Sequence, residues 1–191
     1  MRSSIAAPAK QRDYLDVAIA AVRGRRDWRP VLDELPVPVY TTDADGSVTY
    51  WNQACVDFAG REPQLGQDRW CVTWQLYTLS GDPMPHDQCP MARAIKEKRE
   101  IRNEIIIVER PDGRRAACRP YPTPYFDEAG RLQGAVNLIV DVTVEQVDAL
   151  ADQAARCMRL ARSTTDVQTS RILTDMARDY ASTAEKLRSG L

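Results

Sequence analysis

The sequence predicts an α+β fold, in which an antiparallel sheet lies between a helical segment at each end of the chain. Apolar residues recur at helical spacing before residue 30 and after residue 147. Between these segments, three turn pairs separate runs with strand character: Asp45-Gly46, Asp112-Gly113 and Ala129-Gly130. Asp-Gly supplies the positive φ that tight hairpins need. We therefore expect an N-terminal amphipathic helix in residues 1–30, a sheet domain in residues 31–146 and a helical hairpin in residues 147–191.

The first helix is expected from about Gln11 to Asp27. Its apolar stripe is narrow, so the helix needs a partner surface; the stripe consists of Tyr14, Val17, Ala18, Ala21 and Val22. A short basic cluster follows, and it is typical of a solvated helix end more than of a nucleic-acid site. The cluster consists of Arg23, Arg25 and Arg26.

The central segment predicts five strands and two helices. The strands are expected at Val37–Thr42, Ser47–Trp51, Glu104–Glu109, Arg114–Tyr121 and Arg131–Val142. Residues 134–140 are apolar apart from Asn137, which is typical of a central strand with both faces covered. A short helix is expected at Asn52–Phe58, and a longer one at Cys89–Lys98 with Pro90 in its first turn.

The last segment predicts two helices or one bent helix. The first apolar stripe is Leu150, Ala154, Cys157, Met158 and Ala161. The second is Ile172, Met176, Tyr180, Thr183 and Leu187. The residues Ser163-Thr164-Thr165-Asp166 between them offer a break and a new N-cap.

The order of these elements and several short motifs resemble the bacterial PAS sensor domain. Residues 35–43 and 45–52 resemble its opening hairpin and the asparagine that begins its first helix. Asp112-Gly113 falls in the second hairpin, and residues 130–134 lead into the last strand. Asp141-Val142-Thr143 stands where PAS domains carry a D-x-T exit motif before the output helix.

This resemblance implies a five-stranded antiparallel sheet that holds short helices against one face. In the family, the space between them binds a small molecule or is simply core. Family function is usually transmission of a state change to flanking helices, often in a dimer. The resemblance also implies a role for Asp141 and Thr143 in signal transfer.

Composition and charge narrow the function classes. The net charge is −1, so no global attraction to nucleic acid or anionic membranes is expected. No apolar run is long enough for a transmembrane helix or a signal peptide. The five scattered cysteines are typical of a reducing compartment, which predicts a cytoplasmic protein.

The single histidine argues against an enzyme. It is His86, within the PAS-like segment, so the following helices hold no phosphoacceptor histidine of the kind found in histidine kinases. Nucleotide-binding and nucleophile motifs are also missing. We therefore expect an isolated, non-catalytic sensor with no metal site.

A candidate ligand site combines a buried amide, aromatic rings and the only imidazole. Asn137 on an apolar strand needs a hydrogen-bonding neighbour or a ligand. Aromatic residues either stack on a ligand or fill the core. The candidate neighbours are Trp70, Trp74, His86, Cys89 and Asn137. Arg119, on the preceding strand, could face an anionic ligand or lie on a solvated face.

Cofactor identity stays open. His86 or Cys89 could ligate a haem iron, or the segment is only a helix start, with Asp87 or Cys89 as the cap. Zinc would need two further ligands. Cys71 lacks the sequence context of flavin-photosensing domains. The stretch Asp43–Gly46 is expected to be a turn and not a calcium loop.

We therefore predict an intracellular signal-sensing or relay protein that acts on a protein partner through its flanking helices. The alternatives are a ligand-free dimeric adaptor and a haem-dependent sensor. A homodimer is expected, because the helical stripes exceed what one small sheet can cover.

Overall fold

The computed structural model describes residues 9–24 and 27–190, in an α+β arrangement. Its helices are α1 (Ala9–Gly24), α2 (Arg29–Asp33), α3 (Gln53–Ala59), α4 (Pro90–Glu97), α5 (Thr143–Ser163) and α6 (Val167–Arg188). Its strands are β1 (Val39–Asp43), β2 (Val48–Trp51), β3 (Gln75–Tyr77), β4 (Ile106–Glu109), β5 (Arg115–Phe126) and β6 (Leu132–Asp141). Residues 25 and 26 of the predicted basic cluster lie outside the described residues.

The strands form one antiparallel sheet in the order β2-β1-β6-β5-β4-β3. The α+β class is confirmed, and the described sheet has six strands where the sequence predicted five. The additional strand, β3, has three residues and lies at an edge, where it pairs with β4. So short a strand carries too little alternation for the sequence pattern to reveal it.

Strand β5 is longer than predicted: the expected strand ends at Tyr121, whereas β5 continues to Phe126. It contains Pro120, Pro122 and Pro124, although proline usually interrupts a central strand. The pairing of β4 with β5 stops at Ile106 and Cys118, so these prolines lie where only β6 pairs alongside. Proline is tolerated there because no ladder bond to a second neighbour is lost.

Each face of the sheet carries its own core, because side chains alternate along the strands. On β6, Ala135 and Ile139 pack with α3, α4 and the loop before β3, on what we call the inner face. Val136, Leu138 and Val140 pack on the opposite, outer face.

The outer face is covered by the flanking helices. Ala18 and Ala21 of α1 are buried there with residues of α5 and α6. The predicted stripe is covered only in part, since Val17 is 43% exposed. Helix α2 was not predicted; its five residues include Pro30 in the first turn, and only Leu32 is buried.

The C-terminal segment is a hairpin. The chain turns between α5 and α6 over residues 164–166, and Asp166 caps α6 by accepting the N–H of Thr169 at 2.7 Å. The predicted α6 stripe is also covered only in part, since Ile172 and Met176 are 53% and 40% exposed. In the described part of the chain, no helix combines the length and apolar character needed to span a membrane.

Candidate functional site

Asn137 lies on the inner face of β6 and is almost fully buried. Its Oδ1 accepts the backbone N–H of Tyr121 at 2.9 Å, and its Nδ2 donates to the Tyr40 hydroxyl at 3.1 Å. The β1–β6 register places Tyr40 directly opposite Asn137. The buried amide is thus satisfied by protein neighbours, as buried polar groups usually are.

The Tyr40 hydroxyl extends this bonding to the loop before β3. It donates to the carbonyl of Trp70 at 3.0 Å. Desolvation raises the pKa of Tyr40 well above its ordinary value, so the phenol keeps its proton and remains a donor.

Trp70 adopts a left-handed backbone conformation, with φ of 69°. This conformation is costly for a residue with a side chain, and several contacts hold it. The Trp70 N–H donates to the Gly46 carbonyl at 2.7 Å. The indole packs so closely on Gly46 that a Cβ there would lie 2.0 Å from the ring. Arg69 and Lys96 flank the same indole.

Cys89 reaches the same carbonyl from α4. Its Sγ lies 3.9 Å from the Trp70 oxygen and also accepts the N–H of Ala92, which makes Cys89 the N-cap of α4. Tyr40, Trp70, Cys89 and Asn137, which we call the interior polar chain, therefore connect the middle of the sheet to the start of α4.

The inner core holds four buried thiols, one of which, Cys89, belongs to the interior polar chain: Cys55, Cys71, Cys89 and Cys118. Desolvation raises the pKa of each, to about 12 for Cys89. They are therefore protonated and unreactive at neutral pH.

The remaining predicted ligand neighbours lie elsewhere. Trp74 is 53% exposed, and with His86 it lines an open surface cleft of about 380 Å³ beside β3. The five predicted residues thus do not form one site. Trp74 directly precedes the edge strand β3, where the alternation of the strand has not yet begun: Trp74 and Gln75 are both exposed, and Leu76 is the first buried residue of the strand. Arg119 is half-buried and lies on β5 between Ala117 and Tyr121. The alternation of the strand places it on the outer face with them.

The residues present do not fit a haem. A thiolate ligand requires deprotonation of Cys89, whose pKa is raised and whose Sγ is used in capping α4. His86 lines the surface cleft and is not part of the inner core. In the described residues, no three histidine, cysteine or carboxylate side chains are grouped so that they could hold a metal ion.

Asp141 and Thr143 form a compact junction between β6 and α5. One oxygen of Asp141 accepts the Thr143 N–H at 2.9 Å and the Thr143 hydroxyl at 2.6 Å. The same hydroxyl accepts the N–H of Ala117, on β5, at 3.0 Å. A single residue, Val142, separates strand from helix.

Sequence reasoning missed the roles of Tyr40 and Asn52. The sequence places Tyr40 in the first predicted strand, among aromatic residues that either fill the core or stack on a ligand; the β1–β6 register was needed to place it opposite Asn137. The Nδ2 of Asn52 lies near three carbonyls, of Leu32, Leu35 and Val37, at 2.9 to 3.2 Å. This buried amide ties α2 to the first hairpin, whereas its position before α3 had indicated only a helix cap.

Comparisons with known proteins agree with this architecture. The model of a family described as the PAS fold matches residues 32–147. An RNA-binding light-oxygen-voltage receptor is 17% identical with a TM-score of 0.47, over 85% of this chain and 38% of the receptor. The chain thus spans well under half of that receptor's length.

Two further solved structures are similar at low identity. A light-oxygen-voltage protein of Rhodobacter sphaeroides is 16% identical with a TM-score of 0.45, over 93% of this chain and 96% of its own. The PAS domain of Bordetella pertussis BvgS is 23% identical with a TM-score of 0.41, over 65% and 91%. No curated protein matches the chain. Because the family model matches more than half of the chain, the protein belongs to the PAS-fold family, as a PAS sensor domain.

Proposed function

We propose that the chain relays a change of state in its PAS interior to the flanking helices, and through them to a protein partner. The division proposed is a sensing unit in residues 31–146, with residues 1–30 and 147–191 as flanking helices. The relay needs no catalytic step or kinase domain of its own.

The observation that carries this proposal is the double role of β6. Asn137 on its inner face belongs to the interior polar chain, while Val136 and Leu138 on its outer face pack in the core that the flanking helices share. A displacement of the strand therefore reaches both layers, because packed interiors transmit small shifts.

The junction at the end of β6 supports the same route. Thr143 is the first residue of α5, and its hydroxyl is tied to β5 and to Asp141. The start of α5 is thus held by side-chain bonds that depend on the positions of two strands. A shift of β6 relative to β5 changes the geometry of these bonds.

A ligand-free adaptor is the second candidate, and the filled inner core favours it. Tyr40, Met91 and Ala92 are at most 1% exposed, and they occupy the layer between sheet and helices. In a ligand-free adaptor, the signal is the binding of a partner or a change in the flanking helices, and it is relayed through β6.

Hydrogen exchange tests the relay. Asn137→Ala perturbs the interior and should increase amide exchange in α5 and α6, because the strand beneath them loses its bond to Tyr40. Thr143→Val, nearly the same shape but unable to bond Asp141, should remove most of that increase when combined with Asn137→Ala. Thr165→Val, at an exposed position between the helices, serves as the matched control.

The two variants must first be shown to fold, by circular dichroism. Unchanged exchange in α5 and α6 with Asn137→Ala would refute the relay. The relay would also be refuted if the changes in hydrogen exchange caused by Asn137→Ala and by Thr143→Val simply added in the double variant. Additive effects indicate independent sites that do not couple.

A further inference from the structure

A cleft with two chambers lies on the outer face of the sheet, between α6 and the loop Leu79–Gly81. The larger chamber is about 430 Å³ and the smaller about 120 Å³. They adjoin each other, because Ser80, Asp179 and Thr183 line both. Their combined size falls in the range of small-molecule sites.

The larger chamber is predominantly apolar. Leu150 forms a fully buried part of its wall, and Leu79, Met176 and Tyr180 complete the apolar surface. Met176 is one of the α6 residues that the hairpin leaves exposed. An apolar chain placed in this chamber would cover that side chain.

Both cationic side chains that line the cleft lie in the smaller chamber. Arg115 and Lys186 line it together with one carboxylate, Asp179, over a floor that includes the buried Ile107 and Leu187. The Arg115 guanidinium is fixed in place: Nε donates to Glu109 at 2.7 Å, and the group lies 3.8 Å from the Tyr77 ring centroid. Within the described residues, Lys186 makes no ion pair.

We infer that this cleft binds a small amphiphile with one anionic headgroup and an unbranched apolar tail. The headgroup lies between Arg115 and Lys186, and the tail lies along Leu79, Leu150 and Met176. Asp179, where the chambers meet, disfavours a second negative charge along the tail. The ligand class therefore has its only charge at one end.

Such a ligand would act on the hairpin directly. One wall of the cleft is α6 and the opposite wall is the loop between β3 and α4, so occupancy fixes the distance between them. This consequence rests on the proposed relay, whereas binding itself does not depend on it.

Binding is tested by equilibrium dialysis and calorimetry with decanoate, kept below its micellar concentration. Decanoate should bind one per chain and more tightly than butyrate, which has the headgroup without the tail, and decyltrimethylammonium, which reverses the charge. Lys186→Glu should weaken decanoate binding about fivefold, because attraction becomes repulsion. Met176→Gln should weaken it about tenfold through lost apolar contact.

Matched controls lie on the same hairpin outside the cleft. Arg178→Glu reverses a charge on α6 that is exposed and paired with Asp175, and Leu160→Gln removes an exposed apolar side chain on α5. Both should bind decanoate like the unaltered chain.

Three outcomes would overturn the inference. One is equal binding of decanoate and decyltrimethylammonium, which would indicate non-specific detergent association. Another is unchanged binding in Lys186→Glu and Met176→Gln. The third is no decanoate binding by a chain that light scattering shows to be dimeric, which would assign the cleft to a second copy. Decanoate binding without altered hydrogen exchange in α6 would leave the site intact and count against the relay alone.

Discussion

Asn137 shows how a single buried amide can organise the interior of the domain. Its oxygen and nitrogen are both bonded to protein groups, and one of those groups, the Tyr40 hydroxyl, is bonded in turn to the strained loop residue Trp70. Burial makes each of these bonds costly to lose, since water cannot replace the missing partner. The chain of bonds therefore holds three separate parts of the sequence in one arrangement.

Asn137→Ala is expected to destabilise the protein by about 1–3 kcal/mol, because the Tyr121 N–H and the Tyr40 hydroxyl lose a partner. Urea unfolding measures the change. Tyr40→Phe removes the same bond from its other end, so the double variant should be less destabilised than the sum of the single variants. If Asn137→Ala leaves stability unchanged and instead abolishes a ligand-dependent thermal stabilisation, Asn137 is a ligand-binding residue.

At the scale of elements, the helices on the outer face do more than cover the sheet. Helix α1 contributes Ala18 and Ala21 to the core, while Val17 points away from it. Helix α6 buries Ala177, Ala184 and Leu187 and exposes Ile172. We propose that the apolar side chains left outside this packed layer contribute to an interaction surface.

We expect a homodimer in light scattering at tens of micromolar, with these exposed side chains at the interface. Val17→Glu and Ile172→Glu should each shift the protein towards monomer, because a buried unpaired carboxylate opposes association. Removing residues 1–27 should also weaken association, but it uncovers the core as well. Leu65→Glu, at a loop position that is 64% exposed, is the control. A monomer at these concentrations would contradict the expectation.

At the scale of the whole molecule, the inner core is unusual in holding four protonated thiols. Their pKa values are raised by burial, so the folded protein keeps protons that the unfolded chain releases at alkaline pH. The stability linked to these thiols is fully present below their ordinary pKa and is lost as pH rises above it.

The free energy of unfolding should therefore fall as pH rises above about 8.5, the ordinary pKa of a thiol, with each thiol contributing up to about 1.4 kcal/mol per pH unit. Urea unfolding at a series of pH values measures this slope. Cys89→Ser keeps a cap for α4 but removes one ionisable group, so it should give a shallower slope. A stability that stays constant up to pH 10 would show that these thiols do not differ between the folded and unfolded states.

The sequence by itself determined the class of fold, the hairpins and the family. These follow from local signals. Asp-Gly pairs favour tight turns, and the alternation or helical spacing of apolar residues marks each long element. It also indicated Asp141 and Thr143 as the exit from the sheet, and Asn137 as a buried amide in need of a partner.

Only the tertiary structure decided which residues meet. The bond between Asn137 and Tyr40 joins residues 97 positions apart, and it depends on the register of β1 against β6. Trp74 and His86 lie outside the interior, in a surface cleft beside β3, and the cleft beside α6 exists because the hairpin packs back onto the sheet. Local patterns specify which face each side chain takes, but the partner it meets there depends on strand order and helix packing, which bring distant parts of the chain together.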